Sequence, residues 1–509
     1  MTAMPSRAIR KIVIVGGGTA GWMTAAPLAQ RMGKACEIVL VESPEIGTIG
    51  VGEATLPPIR NYNQSLGIDG AEFVRKTQGS FKLGIEFRDW GHVGNRFFHG
   101  FGDFGPAIEN RSAFHYWLRL KKGHAAMPTY EEWSVATRMA FGNRFTPPVD
   151  GPPSAHNAYS FAYHFDAGLY AAYLREYAMQ RGAQRIEGMV MEVEQRPEDG
   201  FVTALKLKDG RRIEGDLFID CSGFRALLIQ GAMQSSFEDW SHWLPCNSAL
   251  AVPSKSAAQL TPYTRTTAKS CGWQWRIPLQ NRIGNGHVYC NKFISDDEAA
   301  KQLLEGLDTE ALDTPRQLRF TTGRRKQSWV RNVVAIGLAS GFLEPLESTS
   351  IQLIMDGVGR LIELFPDRDF APELASEFNR RMAAQYEATR DFIILHYKLT
   401  RRDDSEFWRH VGGMSIPDSL AQQIELFRAT GHVAILYPEG FLEPSWISLL
   451  MGLGVEPAKL ITGTLNIDEA ALRQHFERLR QAMAAVVNDM PEHGAYIARH
   501  CRAADLQPA

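Results

Sequence analysis

The chain has no cysteine pairs, no long apolar run and no excess of charge of either sign. Its six cysteines (Cys36, Cys221, Cys246, Cys271, Cys290 and Cys501) are scattered through 509 residues without a CxxC pair. That argues against a disulfide framework and a thiolate zinc site; the expectation is buried reduced thiols, no metal and a cytoplasmic location. No stretch approaches the roughly 18 consecutive apolar residues of a membrane span, and residues 1–10 lack the apolar core of a signal peptide. With 55 Lys and Arg against 57 Asp and Glu, the net charge of -2 gives no reason to expect nucleic acid or an anionic membrane as partner. The longest basic run is only residues 323–326.

What the chain does have is an ordinary globular composition, 44% hydrophobic and 22% charged, over a length ample for a large core. Residues 11–15 form a short apolar run that ends in glycines, the pattern of a buried parallel strand. Helical periodicity follows over about 19–32, then a second apolar run ends at Glu42, which makes a βαβ unit. Residues 158–180 carry a helical pattern. Strand patterns recur at 185–194, 200–207, 212–219 and 333–336. A long amphipathic helix is expected near 350–364. Beyond Pro366 the strands stop and helices dominate, at 373–398 and 468–489. There is no internal repeat. The expected fold is α/β: a dinucleotide-binding core over residues 1–360, carrying an inserted substrate region, then a mainly helical part over residues 361–509.

Gly16, Gly18 and Gly21 form G-x-G-x-x-G between the first strand and the helix that opens at Thr19 and Ala20. Such glycines permit a tight turn and let the backbone approach a pyrophosphate at the helix N-terminus. Glu42, 21 positions after Gly21, ends the second strand, where a carboxylate can accept a ribose hydroxyl. This fingerprint serves NAD and FAD alike. Two later strand-then-glycine segments, 216–225 and 332–340, can return the chain to the same cofactor and bring Gly337 and Leu338 to it. Trp273-Gln-Trp-Arg-Ile-Pro278 is W-x-W-x-I-P; on a strand, Trp273, Trp275 and Ile277 share one face and build an apolar wall.

Residues 48–55, Thr-Ile-Gly-Val-Gly-Glu-Ala-Thr, resemble the flavin-contacting loop of FAD-dependent halogenases, and the W-x-W-x-I-P hexapeptide is similar to the signature of the tryptophan-halogenase type. The resemblance runs from about Lys11 to Pro457. It implies an FAD-binding Rossmann-like core of the flavin monooxygenase type and adds Ile49, Gly50 and Ala54 to the cofactor site. Composition alone places Lys82 on the surface; the resemblance of residues 80–90 to the family's lysine segment makes it catalytic. In the same way Glu347, within Pro-Leu-Glu-Ser-Thr, matches the family's second catalytic group. Ser348 is expected to cap the following helix, which leaves the N–H groups of Thr349 and Ser350 as a halide site. Ser350 departs from relatives that carry glycine there, which alters the shape of that site.

The mechanism implied by this resemblance uses FAD as FADH2, with chloride or bromide as co-substrate. A flavin hydroperoxide oxidises the halide, and the hypohalous acid is held by Lys82. Residues 97–102 resemble the stretch whose His and Phe line the substrate pocket, giving His99 and Phe101. Trp446 falls in a region of aromatic substrate contacts. No clamp for the amino and carboxylate groups of free tryptophan is evident, so an indole-like aromatic is the expected substrate. No second glycine fingerprint is present for a nicotinamide, which implies a separate flavin reductase as partner; a homodimer stays open. The competing readings are a flavin aromatic hydroxylase, which needs no halide, and a flavin-binding accessory protein without halogenating activity.

Overall fold

The structure, a computed structural model, describes residues 7–45, 52–124, 126–435 and 440–504. At its centre the strand Lys11–Val15 lies between Glu37–Glu42 on one side and Leu217–Asp220 on the other, parallel to both. Gln184–Glu187 and Val333–Ala335 extend this parallel sheet, and the short strand Trp329–Val330 closes one edge in antiparallel sense. All but one residue of the central strand are buried, so it reads as a continuous apolar run rather than an alternating one. The helix Thr19–Met32 packs on this sheet, with Trp22, Met23, Ala25, Ala26 and Leu28 almost fully buried.

A second, seven-stranded sheet carries the tryptophan motif on Gly272–Pro278, between Thr264–Lys269 and Ile283–Tyr289. The strands Gly84–Arg88 and Arg96–Gly100 form its far edge. A third sheet has only three strands and proves central to the site. Ala162–Asp166 pairs on one side with Gly52–Ala54 and on the other with Ser80–Lys82, both antiparallel.

The helical reading of residues 158–180 needs correction at its start. Ala162–Asp166 is the middle strand of that small sheet, and the helix spans only Ala167–Met179. Asp166 separates the two: its carboxylate accepts the Leu169 N–H and so caps the helix. The strand pattern at 212–219 likewise divides at Gly215, where an added Cβ would come within 2.7 Å of Val13. The segment 185–194 splits into Gln184–Glu187, in the parallel sheet, and Val190–Gln195, in an antiparallel one. The later helices Ser350–Glu363, Pro372–Lys398 and Glu469–Asp489 match their patterns closely. No described residue after Phe342 belongs to a strand. The main apolar core runs without a break from Ile9 to Cys501, so the C-terminal helices share it with the sheets. All six cysteines are buried and free. Among the described residues no helix is long and apolar enough to cross a membrane, and no group of three or more His, Cys, Asp or Glu could hold a metal.

Candidate active site

A cleft of about 480 Å³ opens above the C-terminal ends of the parallel strands, where open α/β sheets bind their ligands. Gly16, Gly18, Thr19, Ala20, Glu42, Ala54, Gly337 and Leu338 all line it. Gly16 has φ +116, and a Cβ there would lie 2.2 Å from the Cys221 carbonyl oxygen, so only glycine fits this turn. Gly18 sits at the N-cap of the first helix, and an added Cβ would meet no atom within 4 Å; it would project into open space on the cleft side. Gly21 is not a lining residue. It is buried beneath the turn, where a Cβ would strike the Gly16 carbonyl at 1.9 Å, and it serves the close packing of helix on strand. Ile49 and Gly50 lie outside the described residues. Glu42 reaches the cleft with its carboxylate against Gly17, and it is ion-paired with Arg185. These features fit a dinucleotide: a glycine cradle with free space before a helix N-terminus, and an acid at the end of the second strand.

The tryptophan wall stands where the strand period puts it. Trp273, Trp275 and Ile277 line the cleft together, from one face of their strand. The Trp273 indole N–H donates to Oε2 of Glu344 at 2.7 Å, and the Tyr397 hydroxyl donates to the same oxygen at 2.6 Å. Burial pushes the Glu344 carboxyl up to about 7, which these two donors oppose. The other residues read in the flavin segments include one that sequence reasoning passed over. Glu53, between Gly52 and Ala54, also lines the cleft, and burial raises its carboxyl to about 7. Its only signal was membership of the glycine-rich loop.

Lys82 is fully buried, against its surface reading. All three residues of the Ser80–Lys82 strand are buried: Phe81 packs on Phe145 and Phe161 on one face, and Lys82 meets Ser348 on the other. The Lys82 ammonium donates to the Ser348 hydroxyl at 2.8 Å and to the Thr55 carbonyl at 3.0 Å. Its Nζ lies 5.1 Å from the centroid of the Phe101 ring. Burial lowers its pKa from 10.5 to about 7, with Glu347 pulling the other way. Ser348 and Ser350 line the cleft, so Lys82 stands one hydroxyl group behind the cleft wall.

Ser348 is not the N-cap. It has φ 60 and ψ 37, a left-handed turn residue that ends a short 3-10 segment, while Thr349 occupies the N-cap of the helix Ser350–Glu363. The left-handed conformation swings the Ser348 side chain to Lys82. The Thr349 hydroxyl is buried without a hydrogen-bond partner, an unsatisfied polar group of the kind that calls for an explanation.

Glu347 is fully buried on the far side of that turn. His99 Nδ1 lies 3.0 Å from its Oε2, and His396 Nε2 lies 3.0 Å from its Oε1. Burial alone would raise this carboxyl; the two imidazoles outweigh it and hold the pKa at about 2. Around them lies an aromatic box. Phe101 stands edge-on to His99 at 6.1 Å, Phe441 stacks on Phe392 at 3.7 Å, and Trp446 meets Phe392 edge-on at 5.0 Å. The structure thus gathers His99, Phe101 and Trp446 on the side of Lys82 and Glu347 away from the glycine cradle. Missed from sequence were His396, Phe392 and Phe441. The one signal for His396 was a histidine directly after the apolar run 392–395, near the end of a long helix.

A dinucleotide cleft walled by tryptophans, with a buried lysine bonded to one of its lining hydroxyls and a buried carboxylate beside it, is the site of a cofactor-dependent oxidoreductase. The family model for tryptophan halogenases matches residues 11–467. A tryptophan 6-halogenase from Streptomyces toxytricini is 35% identical over 97% of this chain and 99% of its own. Among solved structures, a flavin-dependent halogenase from Xanthomonas campestris superposes with a TM-score of 0.95 at 44% identity, covering 99% of this chain and 100% of that one. Another, from Brevundimonas sp. BAL3, gives a TM-score of 0.92 at 45% identity, covering 96% and 99%. The chain belongs to the tryptophan halogenase family and is a flavin-dependent halogenase of the two-component kind, using FADH2 and a halide.

Proposed function

We propose that the protein chlorinates or brominates an indole-like arene, with Lys82 and Glu347 as its acting side chains. The observation that carries this reading is the placement of Lys82, a buried ammonium joined to a cleft-wall hydroxyl on one side and facing the Phe101 ring on the other. Gly16, Gly18, Thr19 and Ala20 would hold the pyrophosphate of FAD, Glu42 a ribose, and Ala54, Gly337 and Leu338 the ring-side portion. When bound and reduced, the flavin supplies with oxygen the two-electron oxidation that turns halide into hypohalous acid. The tryptophan wall keeps the arene out of the flavin chamber.

Halide sits at the turn before the helix Ser350–Glu363, where the unpartnered Thr349 hydroxyl and the backbone at Ser350 offer donors. Lys82, with a pKa near 7, donates a hydrogen bond to the hypohalous acid and fixes its halogen toward the arene. Glu347 accepts the proton released when the ring carbon exchanges hydrogen for halogen. Residues 361–509 close the substrate side, and His99, Phe101 and Trp446 hold the arene by its faces and edges. Among the described residues the aromatic box offers ring contacts, which favours indole over free tryptophan.

The test is mass spectrometry of products from indole with a flavin reductase, FAD, oxygen and bromide or chloride. Lys82→Ala is expected to lose the halogenated product while FAD affinity stays unchanged; product at wild-type rate in that variant refutes the assignment. Free tryptophan run in parallel is expected to turn over more slowly than indole, and the reverse order overturns the substrate reading.

A further inference from the structure

The two histidines on Glu347 are not equivalent, and the difference assigns a charge. His396 Nε2 lies 3.0 Å from Glu347 Oε1, and its Nδ1 lies 2.9 Å from the Phe392 carbonyl oxygen. A carbonyl can only accept, so Nδ1 carries a proton. If Glu347 is a carboxylate, Nε2 must carry one too, and His396 is an imidazolium. His99 differs: its Nδ1 faces Glu347 Oε2 at 3.0 Å, while its Nε2 is buried without any partner. One N–H, at Nδ1, is all that this geometry calls for.

The alternative is a protonated Glu347 donating to a neutral His396. The surroundings weigh against it. The titratable groups that face Glu347 are His99 from the Arg96–Gly100 strand, His396 from the Pro372–Lys398 helix, and Lys82 from the Ser80–Lys82 strand. Each presents a donor or a positive charge, and none presents a competing negative one. Around His396 itself the remaining neighbours are rings: Phe87 at 5.0 Å, Trp90 at 5.8 Å and Phe392 at 5.7 Å. In such a dry pocket a lone carboxylate would take up a proton, because burial without a counter-charge disfavours the ionised form. A hydrogen-bonded cation at one oxygen and an N–H at the other keep it ionised.

We infer that His396 is a positioning residue that acts as an imidazolium counter-charge, holding Glu347 ionised and aimed between Lys82 and the arene. It touches neither flavin nor substrate; it sets the charge of the group that takes the arene's proton. The inference rests on the reading of Glu347 given above, and its test separates the two. With nitrogen-15 histidine in the full-length protein, the wild type at pH 8 is expected to show a buried imidazolium signal with both nitrogens protonated. That signal should be absent in His396→Gln. If no such signal is present in the wild type, the inference is wrong whatever the activity.

Kinetics supply the second arm, measured on indole with a reductase and bromide. In His396→Gln the acid limb of the pH profile of kcat should move up by one pH unit or more, while KM for indole stays near that of the wild type. The loss should therefore be about tenfold greater at the acid end of the profile than on its plateau. An equal loss at every pH, or an unmoved limb, makes His396 a mere packing residue and overturns the inference. Should His396→Gln fail to fold, the infrared difference between wild type and Glu347→Gln at pH 7 decides. Loss of an ionised carboxylate band supports the inference, and loss of a carboxylic acid band refutes it. If instead Glu347→Gln halogenates normally while the imidazolium is present, the role of Glu347 fails and the charge assignment stands.

Discussion

Replacing Lys82 by methionine tests the burial argument without relying on catalysis. The lysine pKa falls from 10.5 to about 7 on folding, because the ammonium leaves water for a fully buried site. Between those two values the unfolded chain holds a proton that the native state has released. Wild-type stability therefore rises with pH across that window, by about 1.4 kcal/mol per pH unit. Below pH 7 both states are protonated and the native state carries the full cost, roughly 5 kcal/mol. Methionine fills a similar volume and carries no such cost. It does forfeit the hydrogen bonds to Ser348 and Thr55, each worth about 1.5–3 kcal/mol to a charged donor. The two contributions nearly cancel at neutral pH. Lys82→Met is thus expected to match the wild type within about 2 kcal/mol at pH 6.5, although it makes no product. The wild type should then pull steadily ahead as pH rises towards 10. Urea unfolding of the flavin-free proteins, followed by tryptophan fluorescence at three or four pH values, measures the gap. A gap that does not change over this range means that Lys82 stays protonated, and the argument from burial fails.

Two further substitutions probe the rest of the site. Gly16→Ala forces a side chain into a left-handed turn and against the Cys221 carbonyl; it should cost about 3 kcal/mol or more and abolish FAD binding by titration. A variant that binds FAD like the wild type would show that the turn has room to spare. Glu344→Gln addresses the wall. The Glu344 carboxyl is held up near 7, so the native state keeps a proton that the unfolded chain loses above pH 4.5. Wild type should lose about 3 kcal/mol relative to the glutamine variant as pH rises from 4.5 to 7, then run parallel to it. Parallel curves over the whole range would place an ionised carboxylate behind Trp273.

Much of this architecture is legible in the sequence because it follows from local periodicity. The first strand, the glycine turn and the long C-terminal helices repeat their patterns within a few residues, and the W-x-W-x-I spacing orients the wall by strand geometry alone. What is not legible depends on distant partners. Lys82 looks exposed because nothing in Ser-Phe-Lys reveals that both faces of its strand are covered, one by Phe145 and Phe161 packed on Phe81 and the other by Ser348 against Lys82. Residues 162–166 read as helix because the alanines and aromatics there suit either state; pairing with two strands from elsewhere decides. Ser348 reads as a cap, yet it stands one residue before the N-cap in a left-handed turn, where its hydroxyl accepts from Lys82, a partner 266 positions away. His396 lies 49 positions from Glu347, with no spacing rule to join them.

The three-stranded sheet couples the cleft wall to Lys82. Ala162–Asp166 is a shared crossbar: one edge carries Ala54, which lines the flavin cleft, and the other carries Lys82. Neighbouring strands sit only about 4.8 Å apart in a hydrogen-bonded ladder, so the two edges cannot drift independently. A shift imposed on the cleft-side strand is delivered to the lysine, and to Phe101 through its backbone bond to the Leu83 carbonyl, whereas Trp446 is carried on a helix of its own. Trp446 can therefore be exchanged, over evolution or by design, without disturbing the crossbar that carries Lys82.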